Sequence, residues 1–181
     1  MATSKTTAKS AGKSKGKSRA TTAPDALDKL KSDHDAVNDL FDEYEDKKDA
    51  MSAPEKKKMV SEICMELMVH TQIEEEIFYP AVRGVANDDL DELLDEAEVE
   101  HAGVKDLVAQ LEGDRTEAEL YDAKVTVLGE QVKHHAGEEE KEMFPKLKKS
   151  ELDLEALGQQ LTLRAEELKA GYKAASSAAN D

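Results

Sequence analysis

An all-α chain folded as an up-down-up-down four-helix bundle is what this sequence predicts, and three observations carry that prediction. Ala, Glu, Lys, Leu and Asp dominate, tryptophan is absent and aromatics make up only 4 % of residues. That is the composition of long amphipathic helices, not of a sandwich or barrel. Apolar residues recur at steps of three and four along four segments of similar length, laying one inward stripe down each. The breaks between the segments are short, so consecutive helices run antiparallel.

Residues 1–24 hold Lys, Ser, Thr, Ala and Gly with almost nothing to bury and are expected to form a disordered basic tail. The bundle spans residues 25–147. Its first helix covers residues 26–49 and breaks at Met51-Ser52-Ala53-Pro54. Ser52 and Glu55 have capping-box spacing, and Pro54 suits a first helical turn. The second helix runs to Tyr79, where Pro80 and Gly84 stop it. Asn87-Asp88-Asp89 opens the third with an acceptor and two acids, and Gly113 ends it. Thr116 and Glu119 form a second capping box, opening a fourth helix that closes near Phe144-Pro145. A short fifth helix covers residues 152–168 within a C-terminal segment 148–170, and residues 171–181, rich in Ala and Ser, form a second disordered tail.

The formal charge is −16 although residues 1–24 carry five lysines, one arginine and no acid, so the bundle itself is more acidic still. Such a body repels nucleic acid and anionic membrane and attracts cations. Nucleic acid contact is therefore expected from the basic tail alone, if anywhere. One cysteine, Cys64, excludes an intramolecular disulfide and a cysteine-based zinc site. It lies off the inward stripe of the second helix and is given no catalytic role. A reducing, cytoplasmic setting is expected. No apolar run approaches the roughly 18 residues of a membrane span, and no apolar secretory core opens the chain.

The inward stripes carry the chemistry. They read Leu27, Leu30, His34, Val37, Phe41, Tyr44 on the first helix and Val60, Ile63, Leu67, His70, Glu74, Ile77 on the second. The third gives Leu90, Leu94, Ala97, His101, Val104, Val108, Leu111, and the fourth Tyr121, Val125, Leu128, Val132, His135, Glu139. Each stripe is apolar except near its middle, where every helix supplies a histidine. The second and fourth add a glutamate one turn on. A lone inward histidine is usually a satisfied core residue, and a His–Glu pair at i, i+4 is often a surface pair. Four histidines at matched depth with two buried glutamates are another matter. Burying unpaired carboxylates costs several kcal/mol, whereas neutral imidazole and carboxylate are what a cation binds. Residues at i and i+4 share a face, so His70 with Glu74 and His135 with Glu139 reach one point, and a glutamate can bridge two ions.

The spacing repeats. His70 to Glu74 is followed by Phe78-Tyr79-Pro80, and His135 to Glu139 by Met143-Phe144-Pro145; both read H-x3-E-x5-P. His34 and His101 each lie about one helical hairpin upstream of these motifs. The chain reads as two copies of a helical hairpin whose half-sites meet at the centre. His134 sits about 100° off the stripe, and His134 with Glu138 is the competing register. The motifs of other metal bundles fit less well: only Glu98-Val99-Glu100-His101 has Glu-x-x-His spacing, and H-E-x-x-H is absent.

This repeated pattern resembles the hemerythrin family, in its HHE cation-binding branch, over residues 25–147. The resemblance implies a carboxylate-bridged pair of non-haem irons held by His34, His70, Glu74, His101, His135 and Glu139, with oxygen, nitric oxide or peroxide as small ligands. Two departures accompany it. Lys105 stands where hemerythrin proper has a fifth histidine, and Glu139 is one residue closer to its histidine than the corresponding carboxylate. The irons would then be less saturated, leaving room for Glu98, Tyr44 or water. Three functions use such a site: a binding protein for oxygen, nitric oxide or iron, a diiron enzyme with catalase or peroxidase-like activity, and a metal-stabilised interaction module.

Overall fold

A computed structural model describes Met1 and residues 24–85 and 87–178. The predicted N-terminal tail lies outside the described residues over positions 2–23, as do residues 179–181 of the C-terminal one.

The first helix is Ala26–Lys47, opened by Asp25, whose carboxylate accepts the Asp28 N–H at 2.9 Å. The second begins at Ala53, where the Glu55 carboxylate takes the Ser52 backbone N–H at 2.9 Å, one arm of the predicted capping box. The third is Asp88–Gly113, with Asn87 accepting the Leu90 N–H. The fourth starts at Tyr121. The first helix packs on the second and fourth, the third on the fourth and second, closing the antiparallel bundle. Among the described residues no helix is long and apolar enough to cross a membrane.

Three boundaries differ from the sequence reading, each for a physical reason. Pro80 does not stop the second helix: Ala53–Ile73 passes into a wide π turn, Glu74–Phe78, and continues as Tyr79–Arg83. The fourth does the same through Glu139–Met143 into Phe144–Leu147, so Pro145 is likewise inside a helix. In a regular helix a proline ring strikes the carbonyl one turn back. The extra residue of a π turn moves that carbonyl away. It also rotates the turn after it, so Phe78, fully buried, takes the core place expected for Ile77, which is only half-buried. Second, the Thr116–Glu119 box does not form. Glu119 and Leu120 are exposed, and the helix starts where Tyr121 turns into the core. Third, the fifth helix is long, Leu154–Ala178, and continues through residues 171–178, expected to be a tail. Its apolar stripe extends past the buried Leu157, Leu161 and Ala165 to Leu168 and Tyr172, both packed on the core.

That fifth helix lies along the first and second. The approach is close at Gly158, where a Cβ would stand 2.5 Å from the Pro24 carbonyl oxygen and 2.7 Å from the Ala26 nitrogen. The second helix, touched by the first, third and fifth, is buried over a wider arc than its sequence stripe. Cys64 is therefore in the core, fully buried, and not off it as expected. Burial raises its thiol pKa to about 12. An exposed-thiol reagent at mildly alkaline pH is expected to leave native protein unmodified and to label it at once in denaturant. Rapid labelling of the native protein would contradict this packing.

The core is two apolar clusters. One gathers Leu27, Leu30, Ile73, Phe78, Leu94 and Leu161 with their neighbours. The other gathers Phe41, Tyr44, Ile63, Leu67, Val108 and Leu128 with theirs. A layer of buried polar residues divides them: His34, His70, Glu74, His101, His135 and Glu139.

Candidate metal centre

Each helix of the bundle turns one histidine into this layer, and the four Nε2 atoms meet in two pairs. His34 and His70 are 3.1 Å apart, as are His101 and His135. Glu74 lies between the pairs, with Oε1 3.2 Å from His70 Nε2 and Oε2 3.3 Å from His101 Nε2. Glu139 Oε2 is 3.3 Å from His34 Nε2 and 3.9 Å from His135 Nε2. One ligand-type atom from each of His34, His70, Glu74 and Glu139 falls within 4.8 Å of the others, and Glu74, His101 and His135 form a second such group. Glu74 belongs to both. The structure thus brings all six sequence-predicted residues into one buried layer.

Behind the histidines stand carboxylates that the sequence reading missed. Glu140 is 3.0 Å from His34 Nδ1, Glu75 3.0 Å from His101 Nδ1 and Glu100 2.9 Å from His135 Nδ1. Asp33 faces His70 Nδ1 at 3.7 Å, beyond direct hydrogen-bond reach. A carboxylate at Nδ1 keeps the proton there and leaves the Nε2 lone pair aimed at the centre. The signal was in the chain. Each inner glutamate is followed by another, Glu74-Glu75 and Glu139-Glu140, and each upstream histidine is preceded by an acid, Asp33-His34 and Glu100-His101. The acid after each inner glutamate supports a histidine of the other hairpin; Glu100, before the second upstream histidine, supports His135 of its own hairpin, and Asp33 stands at the matching place near His70.

Tyr79 was also missed. Its hydroxyl donates to Glu139 Oε1 at 3.1 Å and lies 3.3 Å from His101 Nε2. At the matching place in the second repeat stands Phe144, stacked on His34 at 6.2 Å between ring centroids. Both inner glutamates are the first residues of the π turns. Such turns are rare and are frequent at functional sites. Here the wide turn carries Tyr79 and Phe144 over the layer directly after the glutamates.

Electrostatics describe a site that wants positive charge. Both oxygens of Glu74 and Oε2 of Glu139 are buried with no hydrogen-bond partner among the described residues. Burial works against a charged His34, yet the Glu139 carboxylate beside it and the charge of Glu74 outweigh it and raise its pKa. His135 is raised against burial in the same way, chiefly by Glu100. Burial takes their partners down, His70 to about 4 and His101 below its ordinary value. Burial, with the nearby charge of Glu139, pushes Glu74 well above the carboxylate range, while the close approach of His34 and the histidine charges overcome burial and hold Glu139 low. Cation binding by such imidazoles and carboxylates is coupled to the release of protons. The donor set of neutral imidazoles and carboxylates suits iron, manganese or zinc on chemistry alone.

The remaining candidates are elsewhere. His134 is 64 % exposed, paired with Glu138 at 3.3 Å, so the competing register is the surface one. Glu98 is exposed and bound by Arg83. Tyr44 is buried in the far apolar cluster and donates to Asp122 at 2.6 Å. Neither completes the centre. Lys105 does not face it either: its ammonium grips Glu75 at 2.6 Å, behind His101.

Fold and site together define a four-helix-bundle protein with a buried layer of four histidines and two glutamates that suits cations. The chain belongs to the hemerythrin HHE cation binding domain family, whose model matches residues 25–147. It is similar to a hemerythrin HHE cation binding domain-containing protein of Mycobacterium kansasii, with a TM-score of 0.66 and 24 % identity over 82 % of this chain and 89 % of that one. At that identity the likeness concerns the fold. A curated relative from Nostoc sp., named DNA nickase, is 30 % identical over 118 residues, which are 65 % of this chain. The match spans only 32 % of that relative's length.

Proposed function

We propose that this chain is a non-haem diiron protein that binds a small oxidant or diatomic ligand, dioxygen or nitric oxide, at the buried layer. The observation that carries the reading is Glu74, whose two unpartnered oxygens each face a different histidine pair. One pair with its share of Glu74 makes one cation site, and the shared carboxylate implies that there are two. In this reading His34, His70 and Glu139 would hold one iron, His101 and His135 the other, and Glu74 would serve both. A ferrous pair supplies electrons to a small ligand. The chain's own part is to fix the imidazoles through their outer carboxylates, to exclude water with the two apolar clusters, and to offer the Tyr79 hydroxyl as the donor beside His101. A cytoplasmic, reducing setting suits both the ferrous state and the buried thiol.

A second reading, a peroxide-consuming diiron enzyme, is favoured by one observation. With Lys105 turned onto Glu75, the six inner residues leave the ions short of a full ligand set, and the proton donor Tyr79 stands over the gap. Metal analysis of protein purified without added metal tests the shared basis: about two irons per chain are expected. One zinc and no iron would end both readings. Spectra of the reduced protein with oxygen, then peroxide, divide them. Repeated reversible oxygen cycles with peroxide left intact favour the carrier, and peroxide turnover favours the enzyme.

A further inference from the structure

The two hairpins match in their inner residues and differ in what lies one helical step outside them. In the second repeat, His134 and Glu138 precede His135 and Glu139. The same places in the first repeat are Val69 and Ile73, which are 2 % and 0 % exposed and lie in one apolar cluster with Leu157, Leu161 and Ala165 of the fifth helix. One flank of the centre is thus sealed by apolar packing. The other is polar and open.

The open flank is a groove of about 860 Å³ along the third and fourth helices, lined by Asp88, Glu92 and Glu96 among other acids and ending at Glu100, His134 and Glu138. At that end His134 Nε2 is 3.3 Å from Glu138 and 3.6 Å from Glu100, so three ligand-type groups converge within reach of solvent. Further in, a pinched cavity of about 10 Å³ is lined by Glu100, His135, Glu138, Glu139 and Met143. Glu100 and Glu138 therefore line both the groove and the passage. Glu139, 2 % exposed and with Oε2 unpartnered, lines the passage at its inner end. The cavity has room for about one water and not for a hydrated cation, so passage needs a side chain to move, and the flexible thioether of Met143 is at hand.

We propose that this groove is the cation entry route, with Glu100, His134 and Glu138 as a transient loading site that hands a divalent cation to Glu139. The inference rests on the diiron reading of the buried layer. Acids along the groove concentrate cations at its mouth. Glu138 then meets the ion outside and its chain neighbour Glu139 receives it inside.

The test is the rate of cation uptake by full-length, cation-free protein mixed anaerobically with ferrous iron, and with cobalt(II) as a coloured stand-in. His134→Val with Glu138→Ile copies the sealed hairpin. Loading is expected to slow by about tenfold or more, the low end of what charged clefts do to entry rates, with the final cation content unchanged. Wild-type uptake should also slow with added salt, and the variant's much less. Glu62→Gln, on an exposed face elsewhere, should load like the wild type. Where the apolar pair aggregates, His134→Gln with Glu138→Gln serves instead. A variant that loads at the wild-type rate, or that loses its final cation content, overturns the entry route. A wild type that takes up no cation overturns the diiron reading itself.

Discussion

Glu74→Gln is expected to empty both cation positions at once. Glu74 places one oxygen 3.2 Å from His70 Nε2 and the other 3.3 Å from His101 Nε2, so a single side chain serves both halves of the centre. The amide removes the charge and turns an NH2 group toward one of them. Losing an outer-shell partner of a ligand typically weakens metal binding by about 10–100-fold. Glu75→Gln, behind His101, should fall in that range. A shared inner carboxylate should cost more, leaving no cation after gel filtration with a chelator. Glu139→Gln is the graded comparison, since Glu139 makes one close histidine contact and Tyr79 already takes its other oxygen. Folding supplies the control. In the cation-free state Glu74 is a buried carboxyl without a hydrogen-bond partner, and such groups destabilise. Cation-free Glu74→Gln should therefore melt no lower than cation-free wild type, while the stabilisation by added iron disappears. Retention of both cations by Glu74→Gln would falsify the bridging assignment.

The same residues show which features the sequence made legible. Period and polarity were enough for the bundle and for the six inner residues, because a histidine or glutamate on an apolar stripe is conspicuous at any helix phase. Glu139 and His135 were separable from Glu138 and His134 for the same reason. What period cannot express is a change of period. The π turns at Glu74 and Glu139 hid the prolines' tolerance, moved Phe78 into the place expected for Ile77, and brought Tyr79 over the centre. Outer carboxylates were invisible for a different reason. Glu75, Glu100 and Glu140 lie at the edge of the stripe, where acids are ordinary in so acidic a chain, and only the repeat-to-repeat matches of Glu74-Glu75 with Glu139-Glu140 and of Asp33-His34 with Glu100-His101 single them out. Tyr44 was misjudged as an added ligand because a helix stripe gives phase but not depth along the bundle, whereas Glu98 lies off the stripe and faces solvent. Tyr44 lies in the far cluster, away from the histidine layer.

Ending the chain at residue 153 is expected to cost the protein its fold at the centre's end, and with it cation binding. The fifth helix is no appendage. Leu157, Leu161 and Ala165 are 6 %, 0 % and 4 % exposed, and they share one cluster with Ala26, Leu30, Val69, Ile73 and Phe78. Removing the helix would bare those residues directly beside His70 and Glu74. Its ion pairs, Arg164 with Glu76 at 2.8 Å and Lys169 with Glu66 at 2.7 Å, are partly exposed and contribute little, about 0–1 kcal/mol each at most. The apolar contacts decide the matter. Leu161→Ala alone should destabilise by about 2–5 kcal/mol, a large share of the roughly 5–15 kcal/mol that holds a domain together. Loss of the whole helix exceeds that share. Gly158→Leu probes the same seam without removing anything, because even its Cβ meets the backbone at Pro24 and Ala26; a backbone clash does not relax as a side chain does, so the cost should reach or exceed the roughly 1–3 kcal/mol of core overpacking. Thermal melts with and without iron, together with metal analysis, should place the truncation lowest, with Leu161→Ala and Gly158→Leu between it and the wild type. A truncated chain that melts like the wild type and keeps its cations would show that the four antiparallel helices close the centre by themselves.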